Sequence, residues 1–425
     1  MIQLRGQGGE RVAIIGGGVS GLVCGHTLHR DHQITMFESG KSVGGHVATV
    51  DIDLGDEQHA IDTGFIVYND LNYPNFTSLL AELDVATHAS TMSFSVRCDR
   101  TRTEYNGTSL NGLFAQRLNL LRPRFHRMIR EILRFNRESP DVLREDDDRT
   151  TVADYVAARG YGEPFVEQYL VPMGASIWSC PPKTFRQFPI RFVVEFFDNH
   201  RMLDVAGRPQ WRVVTGGSRR YVEAMIRPFR SDIRTATPVS RVRRFEDRVE
   251  VTSVSGEPEV FDHVVFACHS DQALAMLEDP TPVERDLLSA FPYQANEVVL
   301  HTDTSVLPKR RLAWAAWNYH RHRHDPDAVA ITYNMNILQG IRSRRTFCVT
   351  LNDAGGIDPD QVLGRYTYHH PVYTARGRAA QARFHEVANS NRTSYCGAYW
   401  GYGFHEDGVR SALAACEAME RTAVA

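Results

Sequence analysis

Nowhere does this 425-residue chain hold the roughly 18 uninterrupted apolar residues of a membrane-crossing helix, so no spanning segment is expected. The opening stretch, Met1 to Glu10, has no apolar signal core ahead of the first strand-like run, which argues against export by a cleaved leader. Cysteine is sparse. The seven (Cys24, Cys98, Cys180, Cys268, Cys348, Cys396 and Cys416) form no C-x-x-C pair, and an odd, scattered set suits neither a disulfide framework nor a zinc site. A reducing, cytoplasmic setting is the expectation. Net charge is nearly lacking too: a formal −3 gives no overall pull toward nucleic acid, and no such partner is expected. There is no internal repeat and no long low-complexity tract.

What is present is ordinary globular material, 42% hydrophobic and 23% charged, long enough for two or three domains. Val12 to Ile15, Gly21 to His29 and Gln33 to Phe37 read as strand, helix and strand around a glycine turn, one βαβ unit. Between Asp232 and Ala267, Val239, Val242, Val249 and Val251 alternate with polar residues and lead to the buried-looking run His263 to Ala267, read as returning strands of that domain. Ser394 to Ala425 reads as strand, glycine-rich turn and a helix from about Asp407. The expected class is α/β, with a discontinuous Rossmann-like domain at 1–72, 209–296 and 391–425. A helical insertion at 73–208 and a strand-rich one at 297–390 form the substrate domain. In the latter, Glu297 to His301, Leu312 to Tyr319, Ala328 to Asn334, Thr346 to Leu351 and Arg365 to His369 are short β-branched or aromatic runs, most simply an antiparallel sheet.

The chemistry starts at Gly16-Gly-Gly18-Val19-Ser20-Gly21, a G-x-G-x-x-G run that follows an apolar strand and opens a helix. Such a run needs a tight turn at Gly16, backbone close to a pyrophosphate at Gly18, and close helix-to-strand packing at Gly21, with helix amides facing the anion. Glu38, followed by Ser39, ends the second strand where an acid accepts hydrogen bonds from an adenosine ribose and disfavours a ribose phosphate. A glycine turn that binds nothing is the bland alternative.

Gly44-Gly45-His46 and Ile61-Asp62-Thr63-Gly64-Phe65 follow, and with them the chain resembles the flavin-containing amine oxidase superfamily, which includes phytoene desaturases and protoporphyrinogen oxidases. The resemblance implies FAD, with the second glycine pair near pyrophosphate and ribityl chain and Val239 packed against adenine. Cys396-Gly397-Ala-Tyr399-Trp400-Gly-Tyr402-Gly-Phe404-His405-Glu406-Asp407-Gly408 resembles the closing FAD motif. With Tyr333-Asn334-Met-Asn336 and Cys348-Val-Thr-Leu-Asn352, it is similar to a bacterial subgroup related to the flavoprotein segment of some plant cyclopropane fatty acid synthases.

A flavin accepts a hydride at N5, so the protein must hold a C–H bond in a dry pocket and supply a proton acceptor where one is needed. Matching the final glycine puts His405 where amine-oxidising relatives carry an aromatic cage residue, which weakens an amine substrate. His405 reads equally as a base or as a local hydrogen-bonding residue. Tyr399, Trp400 and Asn334 are further catalytic candidates, each with a packing or turn reading beside it. No metal is expected: in His320-Arg-His322-Arg-His324-Asp325 alternating arginines repel a cation, and a solvated loop is the simpler reading. Cys396 is a conceivable flavin attachment point, though packing explains it more simply.

From Phe114 through Leu118, Leu121, Phe125, Ile129 and Ile132 to Phe135, apolar residues recur at helical spacing among arginines, with Pro123 as a break. Such a stretch packs on its own domain or lies on an anionic membrane. The resemblance implies a lipid or other hydrophobic substrate, with dehydrogenation of a methyl-branched or cyclopropane-related acyl chain at the inner membrane face and an acyl-modifying methyltransferase as partner. Ile190 to Phe197 and Trp178 would line an acyl tunnel. Amine or amino-acid oxidation, isoprenoid or porphyrinogen desaturation, and a non-catalytic FAD-binding role remain the alternatives.

Overall fold

The computed structural model describes residues 9–145, 147–322, 329–353 and 355–423. β1 (Arg11–Ile15), α1 (Val19–Leu28) and β2 (Gln33–Phe37) form the βαβ unit. The apolar run of β1 is buried because it lies mid-sheet, parallel both to β2 and to the strand His263–Phe266. Ile233–Arg234 adds outside β2 and Thr393–Tyr395 outside His263–Phe266, completing a five-stranded parallel sheet drawn from distant parts of the chain.

The alternating valines do not join that sheet. Val239–Arg244, Val249–Ser253 and Glu259–Phe261 form a separate antiparallel sheet of three strands. One-sided alternation suits a sheet with one wet face, whereas His263–Phe266, buried along its length, suits a covered parallel one. Arg244 locks this sheet to its surroundings with a buried two-point pair to Glu284 at 2.5 and 2.9 Å, and Tyr395 donates to the same carboxylate at 2.7 Å.

The substrate side is built on a seven-stranded sheet, in spatial order Val362–Pro371, Tyr293–His301, Cys348–Leu351, Val329–Asn334, Trp317–Arg321, Phe94–Cys98 and Thr103–Asn106. It departs from the expectation in two ways. Phe94–Cys98 runs parallel to Trp317–Arg321, and the last two strands come from the stretch expected to be helical. The run expected as one strand from Leu312 to Tyr319 divides into the short turn Arg311–Ala313 and the strand, because the Asn318 amide ties back to both N and O of Ala315.

The basic amphipathic stretch also divides. A 3₁₀ turn, Arg117–Leu121, precedes the helix Pro123–Glu138, whose first residue is the proline, tolerated there because that N–H needs no partner. The helix buries Phe125, Met128 and Phe135 against its own domain, so its apolar face is not free for a membrane. Ile190–Asn199 buries Ile190, Phe192, Val193, Val194, Phe196 and Phe197 and packs on Trp178, Tyr373 and Phe404. These side chains fill the space among themselves, so the expected tunnel lining is packed core. All seven cysteines are free thiols, and among the described residues no helix is long and apolar enough to cross a membrane.

Candidate functional site

The three glycines of the first turn meet three different demands. Gly16 has φ +109°, and its N–H donates to Phe37 O at 2.9 Å. A side chain on Gly21 would stand 1.9 Å from Gly16 O, so α1 can sit this close to β1 only with glycine there. Gly18 is the opposite case: a Cβ there would meet nothing within 4 Å. That open space lies at the N-terminus of α1, which has no side-chain cap and no acid in its first turn. Uncapped amides at a helix start suit a phosphate anion.

Glu38 closes one side. Its carboxylate accepts from Gly17 N at 2.7 Å and Gly40 N at 2.6 Å, with Ser39 Oγ at 3.2 Å, which ties the turn to the end of β2. The segment leading to Val239 comes alongside, Thr237 N donating to Glu38 O at 2.8 Å, and Val239 itself is half-buried at its strand start. The second glycine pair closes the other side: Gly44 N donates to Gly17 O at 2.8 Å, and the Cβ position of Gly45 is 3.1 Å from Gly18 Cα.

His46 follows directly. Its Nε2 is buried without a partner, its ring stacks on His370 at 5.2 Å and lies beside Tyr368 at 5.1 Å. Burial, helped by nearby His370, His269 and His369, lowers its pKa to about 3 and keeps it neutral. Its carbonyl accepts from Phe65 N at 2.7 Å and presses on Gly64, where a Cβ would be 2.1 Å away. Thr63 Oγ1 meets Tyr368 Oη at 2.9 Å. His370 Nδ1 lies 3.0 Å from the Asn296 amide, whose oxygen accepts from Asn352 at 2.8 Å.

The C-terminal motif enters through the helix His405–Ala423, which starts two residues ahead of the expected Asp407. Ser20 Oγ donates to Gly408 O at 3.0 Å, and a Cβ on Gly408 would lie 2.7 Å from Val19, so the two helix starts touch. His405 lies against Phe65, its Nε2 2.5 Å from Tyr221 Oη. Burial lowers its pKa to about 3 and raises that of Tyr221, so the phenol donates and the imidazole accepts. A buried, neutral, already bonded imidazole is a poor base, which turns the catalytic reading of His405 into a positioning one.

Several other candidates are spent on structure. Glu406 accepts from Asn75 N at 3.1 Å, Asn75 Nδ2 at 2.6 Å and Phe76 N at 3.0 Å, serving the uncapped start of the helix Pro74–Glu82 rather than a cofactor. Asp407 holds its own turn, accepting from Tyr402 N and Phe404 N at 3.0 Å each. The Asn334 side chain caps the short helix Met335–Leu338. Tyr399 and Trp400 pack with Phe291 and Phe384 instead of around His405, and Gly397 makes room for the Tyr399 ring, which a Cβ would meet at 2.3 Å. Cys396 Sγ points at Cys24 Sγ, 3.7 Å away between two helices. The histidines 269, 369 and 370 and Tyr221 went unread in the sequence. The His369-His370 pair at a strand end and His269 just beyond a buried strand were the available signals.

An open cradle at Gly18, an uncapped helix start, an acid at Glu38 and an orphaned buried nitrogen on His46 fit FAD, and together with the fold they define an FAD-dependent oxidoreductase. The chain belongs to the flavin containing amine oxidoreductase family, whose profile matches residues 19–331. No curated protein matches it. Among solved structures it is similar to a putative protoporphyrinogen oxidase from an Exiguobacterium species, at 18% identity and TM-score 0.70, covering 98% of this chain and 100% of that one. Cyclohexylamine oxidase from Brevibacterium oxydans aligns at 14% identity and TM-score 0.69, over 98% and 100%. A CLA-producing fatty acid isomerase from P. acnes aligns at 12% and TM-score 0.68, over 97% and 98%.

Proposed function

We propose that this flavoenzyme dehydrogenates lipid acyl chains, a methyl-branched or cyclopropane-related fatty acyl group carried by a phospholipid losing a hydride to the bound flavin and a proton from the adjacent carbon to solvent, which leaves a carbon–carbon double bond. The observation that carries this reading is the turn Arg117–Leu121, where Leu118, Leu120 and Leu121 are 61, 51 and 81% exposed. Arg117 and Arg124 flank them on the surface, and Leu110 is exposed nearby. Leucines so placed suit insertion between lipid headgroups, with guanidinium groups at the phosphates of an anionic bilayer. The fold also serves a fatty acid isomerase, so it is compatible with an acyl chain. An acyl-modifying methyltransferase acting on the same lipid is the partner this reading supplies.

Bound flavin supplies the hydride acceptor at N5. The two glycine turns would hold the dinucleotide between them, and Phe65, Phe76 and neutral His405 would exclude water beside it. A second reading, amine oxidation, draws on a cavity of about 390 Å³ walled by Tyr73, Tyr402, Phe404 and the carboxylates Glu406 and Asp407.

Anaerobic mixing with anionic vesicles bearing methyl-branched acyl chains, and separately with soluble amines, separates the two. The acyl reading requires that the lipid bleach the flavin and that Leu118→Glu/Leu121→Glu abolish vesicle cosedimentation and slow the bleaching. Bleaching by an amine alone would sink it.

A further inference from the structure

Arginines alternate with the histidines in His320-Arg-His322-Arg-His324-Asp325. In the strand Trp317–Arg321 successive side chains point to opposite faces, which sets Arg321 apart from His320; Arg323 lies outside the described residues. His320 is buried in the strand Trp317–Arg321 rather than in a loop, and His322 follows on the same side; His324 and Asp325 lie outside the described residues. Arg321 points the other way, to Glu167, at 2.6 Å.

On the histidine side the neighbouring parallel strand delivers Asp99. The register pairs Arg321 with Cys98, and Asp99 N donates to Arg321 O at 3.1 Å. Asp99 Oδ2 is 2.9 Å from His320 Nε2, and the rings of His320 and His322 have centroids 4.1 Å apart. One ligand atom from each of Asp99, His320 and His322 falls within 4.8 Å of the others. Nε2 of His322 is buried with no hydrogen-bond partner. Arg97 holds the other carboxylate oxygen at 3.1 Å while its guanidinium is itself fixed on the carbonyls of Ser305 and Leu307, which aims Oδ2 at the histidines.

We propose that Asp99, His320 and His322 form a Zn²⁺ site that clamps the hairpin carrying Asp99 to the strand carrying the histidines, remote in sequence from the glycine motifs. Two imidazoles and one carboxylate are a donor set for Zn²⁺, with water as fourth ligand; tetrahedral bonds of about 2.0–2.2 Å set ligand atoms about 3.4 Å apart, so the 2.9 Å contact between Asp99 and His320 opens slightly while the remaining spacing, within 4.8 Å, closes. Nitrogen donors exclude Mg²⁺, which takes oxygen ligands and keeps its waters.

The test uses tag-free, FAD-loaded full-length protein stripped with chelator. Zn²⁺ titrated calorimetrically should bind at one equivalent per chain and raise Tm, and Mg²⁺ should do neither. His322→Ala and Asp99→Asn, with flavin content and far-UV circular dichroism unchanged, should lose more than about tenfold in Zn²⁺ affinity and lose the rise in Tm. No stoichiometric binding by the wild type, an equal effect of Mg²⁺, or wild-type affinity in a folded His322→Ala variant would each overturn the site.

Discussion

The imidazole of His405 lies flat on the phenyl ring of Phe65, centroids 3.7 Å apart and planes 11° from parallel. The edge of Phe76 closes the next side at 5.2 Å, leaving Nε2 to accept from Tyr221. Tyr221→Phe bares that nitrogen and His405→Phe bares the phenol, and each should cost about 1–3 kcal/mol. The double variant should cost less than the sum. Denaturant unfolding of all four proteins measures the coupling, and an additive cycle would show that the pair does not form.

Gly18 and Gly21 should fail differently. Gly18→Ala meets no protein atom, so the apo protein should keep its Tm while the methyl group intrudes on the pyrophosphate cradle and flavin content drops. Gly21→Ala drives a methyl into Gly16 O and should lose about 1–3 kcal/mol of stability. Absorbance of purified flavin beside apo-protein melting distinguishes them; a Gly18→Ala protein that retains full FAD would move the cradle elsewhere.

For Glu406, replacement by Ala should behave as loss of a helix cap, about 1–2 kcal/mol, with FAD retained. Loss of FAD at unchanged stability would return Glu406 to the cofactor.

These contrasts mark what the residues could disclose on their own. Gly16, Gly21, Gly44 and Gly408 were legible as glycines because each takes a positive φ or a contact that a Cβ would not clear. Glu406, Asp407 and Asn334 were less legible because a carboxylate or amide near a glycine motif looks the same whether it faces a ligand or a bare helix end; the arrival of Pro74–Glu82 shows where the Glu406 carboxylate bonds. The hairpin of Phe94–Cys98 with Thr103–Asn106 is local and was passed over because the surrounding stretch reads as helical; what no local pattern shows is its parallel pairing with Trp317–Arg321, over 200 residues away. The solvated reading of His320 failed for the same reason, since its burial comes from that pairing.

Acid should unfold the protein early. Burial lowers His46, His263 and His405 to about 3, and His200, His301, His320 and His370 to about 4, from an ordinary 6.5. The folded pKa values lie below the unfolded ones, so this stability is whole above pH 6.5 and drains as pH falls, the unfolded chain taking up the protons first. Asp62 and Asp407, raised by burial to about 6, act in the opposite sense, but they are two against seven. Tm of the holoprotein should fall steadily from about pH 7 to pH 5; a flat or rising profile would contradict these burials.

The parallel sheet takes strands from residues 11–37, 233–234, 263–266 and 393–395, and the contact between Ser20 and Gly408 spans almost the entire chain. A ribosome delivers these parts in order, so the glycine turn emerges long before the strand and helix that complete its walls. The nascent chain can fold its insertions first, but it cannot shut the dinucleotide cradle until the segment through Gly408 is out. Flavin loading therefore waits for the segment through Gly408, and a product truncated before it would carry the fingerprint motif without holding the cofactor.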